Sequence, residues 1–210
     1  MFGKEILDYI LHGREETYLE YKESMNWSDK YTKLKIIQAM LALSNNKDPG
    51  GVIVVGVKED NGRYSPAGMT TDDFNSFNYD NVASVVKNYS DPVIEFKLLS
   101  DKAKTLEGEK NFIVIQVSES KKPTICIKND SFKNDNFSCN LRQNAIYIRS
   151  KAPIESREIA TTHEWRELIE RAVEKDKQDL FRRMPCFDGL AREIPSNTEK
   201  HNQDLTNDGL

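Results

Sequence analysis

Asn45-Asn-Lys-Asp-Pro-Gly-Gly-Val-Ile-Val-Val-Gly-Val57 passes from a cluster of turn formers straight into an unbroken apolar run, and that transition sets the architecture around it. Asn, Asp, Pro and Gly at 45–51 end any helix that precedes them and supply tight-turn backbone. Residues 52–57 are β-branched apart from Gly56 and carry no polar side chain, so they read as a central strand buried on both faces. The run is far too short to cross a bilayer. Asp60-Asn-Gly62 supplies the next turn.

Upstream, Ser28 is placed to cap a helix reaching Ser44, with Leu34, Ile37, Met40 and Leu41 on one face and Ile36 and Leu43 broadening it, a helix that packs on a sheet. Residues 17–22 alternate as a strand, and residues 5–12 carry Ile6, Leu7, Ile10 and Leu11 as a helical stripe closed by a left-handed Gly13. Downstream, residues 71–89 predict a polar helix, and 93–99 with 112–117 predict a hairpin whose loop contains Gly108. Strands at 124–128 and 145–149 flank an Asn- and Ser-rich stretch expected to be a mobile loop. Thr161 and Glu164 form a capping box for a last helix bearing Trp165, Leu168, Ile169, Ala172, Val173 and Leu180, with Glu167 and Arg171 as an i, i+4 pair. That stripe is expected to dock on the sheet or on a second subunit. From Pro185 the chain reads as a disordered tail, with 186–190 as a possible docking peptide. The expected organisation is a domain at 1–160, an amphipathic helix at 161–184 and the tail at 185–210.

Across 210 residues, 38% apolar and 30% charged side chains describe a globular chain with a real core. Cys126, Cys139 and Cys186 form no C-x-x-C pair, which excludes a disulfide framework and a zinc finger. With free thiols and no apolar signal region at the start, a cytoplasmic protein without membrane association is expected. His12, His163 and His201 lack metal spacing and read as helix-end or tail residues; Trp27 and Trp165 read as packing residues. No Walker A lysine follows Gly50-Gly51, so that pair is not a nucleotide loop. The net charge of -4 hides an uneven distribution: Lys121, Lys122, Lys128, Lys133, Arg142, Arg149, Lys151 and Arg157 stand against Asp130, Asp135 and Glu155, a local charge of +5. Such a segment is either a polyanion site or a solvated lysine-rich loop.

Taken in order, Gly13-Arg-Glu-Glu-Thr-Tyr-Leu-Glu-Tyr-Lys22, Ala42-Leu-Ser-Asn45, Gly50-Gly-Val-Ile-Val-Val-Gly-Val57, Gly68 and Ile146-Tyr-Ile-Arg149 resemble the Schlafen AlbA_2 family over roughly residues 8–160. The resemblance implies a single α+β lobe, with a mixed or antiparallel sheet flanked by helices. It also implies nucleic-acid handling: DNA or RNA binding in many bacterial members, and metal-dependent endoribonuclease activity on tRNA or rRNA in animal ones. In those animal proteins two lobes form a horseshoe, so a chain with one lobe is expected to act as a homodimer.

By the same resemblance, Glu15 and Glu20 match the first two of three catalytic, metal-binding carboxylates, with Mg²⁺ or Mn²⁺ as the cofactor. The third falls on Glu59 or Asp60, because Lys58 stands where the family commonly has Asp. Residues five apart on a regular strand point to opposite faces, so Glu15 and Glu20 meet only if the chain bends near Glu16. Lys22 is the expected partner of the reacting phosphate; the alternative for Glu15 and Glu20 is surface charge or a pairing with Lys22. Arg149, from the family's Y-x-R strand, reads as a phosphate ligand or as an ion-pair partner. Lys151 replaces a usual glycine; with Lys121, Lys122, Arg142 and Arg149 it completes the expected nucleic-acid-binding set. Two functions lead, a metal-dependent endoribonuclease favouring RNA or a module that binds DNA or RNA without cutting it, with a pure interaction protein as a third reading behind them.

Overall fold

The computed structural model describes residues 2–46 and 50–183. The chain divides into two compact units, Met1–Ala172 and Val173–Leu210. The expected tail, with Cys186 and His201, lies outside the described residues.

Helix α1, Lys4–Leu11, buries Ile6 and Ile10 and is followed by Gly13 at φ 78°. Strand β1, Leu19–Lys22, starts two residues later than expected, because Glu16 and Leu19 exchange backbone hydrogen bonds of 3.1 Å in each direction across a tight turn. Helix α2, Lys30–Ser44, has Asp29 at its N-cap position, so Ser28 is not the cap. The predicted stripe is buried, and so are Thr32, Ala39, Ala42 and Ser44 between its members. A helix apolar on most sides is an interior helix rather than a surface one.

Strand β2, Gly51–Val55, is buried along its whole length, as its composition requires. Gly50 leads into it at φ 77°, and a Cβ there would lie 1.8 Å from the Val117 carbonyl oxygen, so no other residue fits. Strands β3, Lys58–Asp60, and β4, Arg63–Ser65, form a ribbon turning at Asn61 and Gly62. The single helix expected at 71–89 is two: α3, Thr71–Ser76, and α4, Tyr79–Lys87. Phe77 is extended and buried on Trp27, ring centroids 5.5 Å apart, and the Asn78 side chain accepts from the N–H groups of Asp80 and Asn81. That cap restarts the helix.

After β5, Ser90–Asp91, the long hairpin β6, Phe96–Thr105, and β7, Gly108–Val117, extends beyond the apolar residues that announced it. Strands β8, Ile125–Cys126, β9, Asp130–Lys133, and β10, Ser138–Leu141, follow. The stretch expected to be a mobile loop is thus a hairpin, β9 paired with β10, which turns Cys139 and Leu141 into the core. Strands β11, Tyr147–Arg149, and β12, Ser156–Glu158, pair before helix α5, Thr162–Arg183. The capping box is present: Thr161 Oγ1 accepts from Glu164 N–H at 3.2 Å, and Glu164 Oε2 accepts from Thr161 N–H at 3.0 Å. Arg171, however, donates to the Glu167 carbonyl at 3.1 Å instead of forming the predicted side-chain pair.

The main sheet runs β1-β2-β7-β6, parallel between β1 and β2 and antiparallel elsewhere, so the fold is α+β with an open mixed sheet. Alternate residues serve opposite faces. Val52, Val54, Phe112 and Val114 pack with Ile6 and Ile10 of α1, while Ile53, Val55, Ile113 and Ile115 pack with α2. Within the first unit, Leu168 of α5 joins Ile146, Ile148 and Ile159, whereas Trp165 is 42% exposed and is not the packing residue expected.

Candidate functional site

Strand β1 is an edge, and its outward backbone groups need partners. The Glu16–Leu19 turn folds Glu15 back along the strand, and Glu15 Oε1 accepts from the Tyr21 N–H at 2.9 Å. On the same edge the Leu19 carbonyl accepts from Arg149 Nη2 at 3.3 Å, and the Tyr21 carbonyl from Lys22 Nζ at 3.0 Å. The bend needed for Glu15 and Glu20 to converge is therefore present, and they converge on Arg149.

Arg149 Nη2 is 2.9 Å from Glu15 Oε2, and its Nη1 is 3.2 Å from Glu20 Oε2. Glu20 Oε2 also accepts from Ser156 Oγ at 2.5 Å, and Glu20 Oε1 is paired with Lys22 Nζ. Glu20 is 4% exposed. Burial works to raise its carboxyl, but the charges of Lys22 and Arg149, with hydrogen bonds from Lys22 and Ser156, outweigh it and hold it below the ordinary value. Two carboxylates and two cations make the cluster neutral. All four carboxylate oxygens already face a donor. Arg149 Nε is the exception among the donors, a buried N–H with no hydrogen-bond partner among the described residues.

Glu59 and Asp60 are exposed on β3. Cross-strand partners share a ribbon face: Glu59 pairs with Tyr64, and Asp60 with Arg63 on the opposite face. The Tyr64 ring lies 5.2 Å from that of Tyr21. Its phenol is raised first by burial and then by the charges of Glu15 and Glu59, against Arg149. Of the two candidates, Glu59 is thus the carboxylate on the Glu15 side.

These residues do not fit the expected divalent cation as they stand. Mg²⁺ and Mn²⁺ need carboxylate oxygens free to coordinate and an excess of negative charge, and Glu15 and Glu20 offer neither. Among the described residues no three His, Cys, Asp or Glu side chains are grouped to hold a metal.

The expected phosphate ligands are also placed differently. The Arg149 side chain is 2% exposed, and that of Lys22 is engaged by Glu20 and a carbonyl, so neither presents its charge to a phosphate in this arrangement. Arg142 pairs with Glu158 at 2.5 Å, and Lys151 with Glu167 at 3.2 Å. Lys128 faces Asp130 at 3.9 Å, and Arg157 faces Glu164 at 2.5 Å. The local charge of +5 is therefore largely balanced in space by Glu15, Glu20, Glu158, Glu164 and Glu167. Lys121 and Lys122 lie exposed between β7 and β8. His12 and His163 sit beside Glu16 and Glu167 at 3.5 and 3.4 Å, and Cys126 and Cys139 are buried free thiols.

Ser156 escaped the sequence reading, and Asn45 was read there as a turn former and motif residue without its contacts. Ser156 lies 136 residues from Glu20, with no local signal to link them. Asn45 is buried and donates to the carbonyls of Leu41, Thr124 and Tyr147 while accepting from Thr124 N–H at 2.7 Å. It thereby ties α2 to the strands that carry Arg149.

An open mixed sheet with a helix on each face, and an edge strand sealed by a Glu–Arg–Glu–Lys cluster, define a single α+β lobe. Residues 15–156 match the family described as Schlafen, AlbA_2, and the chain belongs to that family. Membership points to a nucleic-acid-related function. Among solved structures, the crystal structure of the DIP2311 protein from Corynebacterium diphtheriae is similar over 78% of this chain, with a TM-score of 0.45 and 13% identity; the match spans 26% of that chain. No curated protein matches. No helix among the described residues is long and apolar enough to cross a membrane.

Proposed function

We propose that this chain is a nucleic-acid-binding module, RNA before DNA, in which Glu15, Glu20, Lys22 and Arg149 hold the lobe together and do not cut the polymer. The observation that supports this reading is the donor set around the two carboxylates: Tyr21 N–H and Arg149 on Glu15, and Lys22, Arg149 and Ser156 on Glu20. A buried, neutral, hydrogen-bonded cluster stabilises an edge strand. Each oxygen of the two carboxylates is already engaged by a protein donor, and the two cations cancel the charge that would draw a metal.

The test is to incubate the protein with tRNA and with a DNA duplex in Mg²⁺, in Mn²⁺ and in EDTA. Salt-sensitive binding with intact polymer is expected under all three conditions. EDTA-sensitive cleavage that disappears in a folded Glu20→Gln protein overturns the reading.

The convergence of Glu15 and Glu20, with Glu59 on the Glu15 side through Tyr64, favours a second reading, a metal-dependent endoribonuclease acting on tRNA or another structured RNA. That reading requires Lys22 or Arg149 to release a carboxylate. Both readings include a homodimer, since the family's animal members use two lobes and Trp165 and Ile169 of α5 are 42% and 55% exposed. Light scattering is expected to give twice the chain mass, and a single-chain mass above micromolar concentration removes the dimer.

A further inference from the structure

The β9–β10 hairpin turns through residues 134–137, and the Asn134 side chain braces it by accepting from the N–H groups of Asn136 at 3.1 Å and Phe137 at 2.6 Å. The backbone closes it as well, Asn134 N–H donating to the Phe137 carbonyl at 2.9 Å. Phe137 is thus held at the tip of a fixed turn with 52% of its surface exposed. It is not isolated: the Tyr31 ring at the start of α2 lies 5.0 Å from Phe137 and 5.6 Å from Phe132. Three aromatic rings form a row whose outermost member faces solvent.

Lysines lie on or next to the elements that carry this row: Lys30 precedes Tyr31 on α2, Lys128 precedes β9 and Lys133 ends it. Asp130 on β9 is paired with Lys30 at 2.7 Å and with Lys128 at 3.9 Å, and it accepts from the Tyr89 hydroxyl at 2.6 Å. The carboxylate is 18% exposed, while the Lys30 and Lys128 side chains are 55% and 50% exposed. The carboxylate is the more buried partner of both ion pairs, and Lys128 Nζ stands 4.7 Å from the centre of the Tyr89 ring. Lys133 is exposed on the same hairpin, and Asp135 is the acidic residue of the turn.

An exposed aromatic on a rigid support, with half-exposed lysine side chains in excess of carboxylates nearby, has the chemistry of a single-strand site: bases stack on the ring and the sugar-phosphate backbone follows the cations. A duplex keeps its bases stacked internally and gains nothing from such a ring. We infer that the exposed end of the Phe132–Tyr31–Phe137 row, with Lys30, Lys128 and Lys133 on or next to the elements that carry it, is a stacking platform for unpaired nucleotides. This deepens the nucleic-acid-binding reading and rests on it. It also gives the lobe a contact surface separate from the Glu15–Arg149 cluster.

Fluorescence anisotropy with a mixed-sequence single-stranded RNA, the same strand in a duplex, and an abasic strand of equal length tests the assignment. Wild type is expected to prefer the single strand over both controls. Phe137→Ala is expected to weaken single-strand binding by about 5-fold or more while leaving the duplex unchanged. Phe137→Leu is expected to behave like Phe137→Ala, and Phe137→Trp to restore binding with its added fluorescence quenched by the strand. Because Phe137 is half exposed, circular dichroism and the unfolding midpoint are expected to stay at wild-type values.

Equal loss of single-strand and duplex affinity in Phe137→Ala, or no loss at all, overturns the platform while leaving the binding module standing. Absence of binding to any nucleic acid at low salt removes both. A fall in light-scattering mass in Phe137→Ala with oligonucleotide affinity unchanged overturns the platform in favour of a contact between copies of the chain.

Discussion

Removing the charge from Glu20 leaves Lys22 and Arg149 with one ionised partner fewer at a position that is 4% exposed. Breaking a buried pair by deleting one member costs about 3–5 kcal/mol, and Glu20→Gln, which keeps the volume, is expected to lose about 3 kcal/mol in urea unfolding at pH 7. The pH dependence has a definite sign. The folded carboxyl lies below its ordinary value of 4.5, so its contribution is full above that value and is lost as pH falls through the lower, folded one. The stability gap between wild type and Glu20→Gln is therefore expected to hold constant from pH 7 to about 4.5 and to close below it; a gap that widens in acid refutes the assignment. Glu15 and Glu20 were singled out in the sequence by the family resemblance, and their meeting was conditional on a bend near Glu16. Lys22 was legible as a pairing partner beside them and Arg149 as a phosphate ligand or an ion pair, but that Arg149 and Ser156 are the groups these carboxylates meet was not. Arg149 and Ser156 lie 134 and 136 residues away from the carboxylates they bind, and no local pattern encodes a contact of that span.

Among elements, the sequence signal was faithful wherever burial alone decided the outcome and misleading where a single polar side chain did. Strand β2 and helix α2 follow from apolar content. The break between α3 and α4 follows from Asn78, whose Oδ1 accepts from Asp80 N–H at 2.9 Å and Asn81 N–H at 3.4 Å. Asn78→Ala is expected to lower stability by about 1 kcal/mol, the usual value of an N-cap, whereas Asn78→Asp or Asn78→Ser keeps an acceptor and stays near wild type in the same denaturant titration. The β9–β10 hairpin was hidden for a related reason. Its inward residues, Phe132, Cys139 and Leu141, alternate with polar ones as a half-buried strand requires, but the Asn-rich turn between them carries the compositional signature of a loop. Strand β6 was read too short because beyond Leu99 only Ala103 is buried, leaving Ser100, Asp101, Lys102 and Lys104 with no apolar alternation to betray their pairing with β7.

For the whole molecule, charge along the chain and charge in space differ, and the difference is measurable. The segment from Lys121 to Arg157 holds eight basic residues, but Arg142, Arg149, Lys151 and Arg157 face Glu158, Glu15 and Glu20, Glu167 and Glu164. A side chain already paired with a carboxylate releases little counterion on meeting a phosphate. If the whole segment tracked a single strand, the logarithm of affinity would fall with the logarithm of salt concentration at a slope of about -6. If the contact is made around the aromatic row, Lys30 and Lys128 share one carboxylate, Asp130, so with Lys133 the elements there present about two net charges and a slope of about -1.4. Anisotropy titrations from low to moderate salt are expected to give the shallow slope, with Lys133→Gln reducing it further by slightly less than one. A steep slope would mean that the Glu158, Glu164 and Glu167 pairs open on binding, and variants removing those three carboxylates would then tighten binding strongly; with the shallow slope they are expected to leave it nearly unchanged.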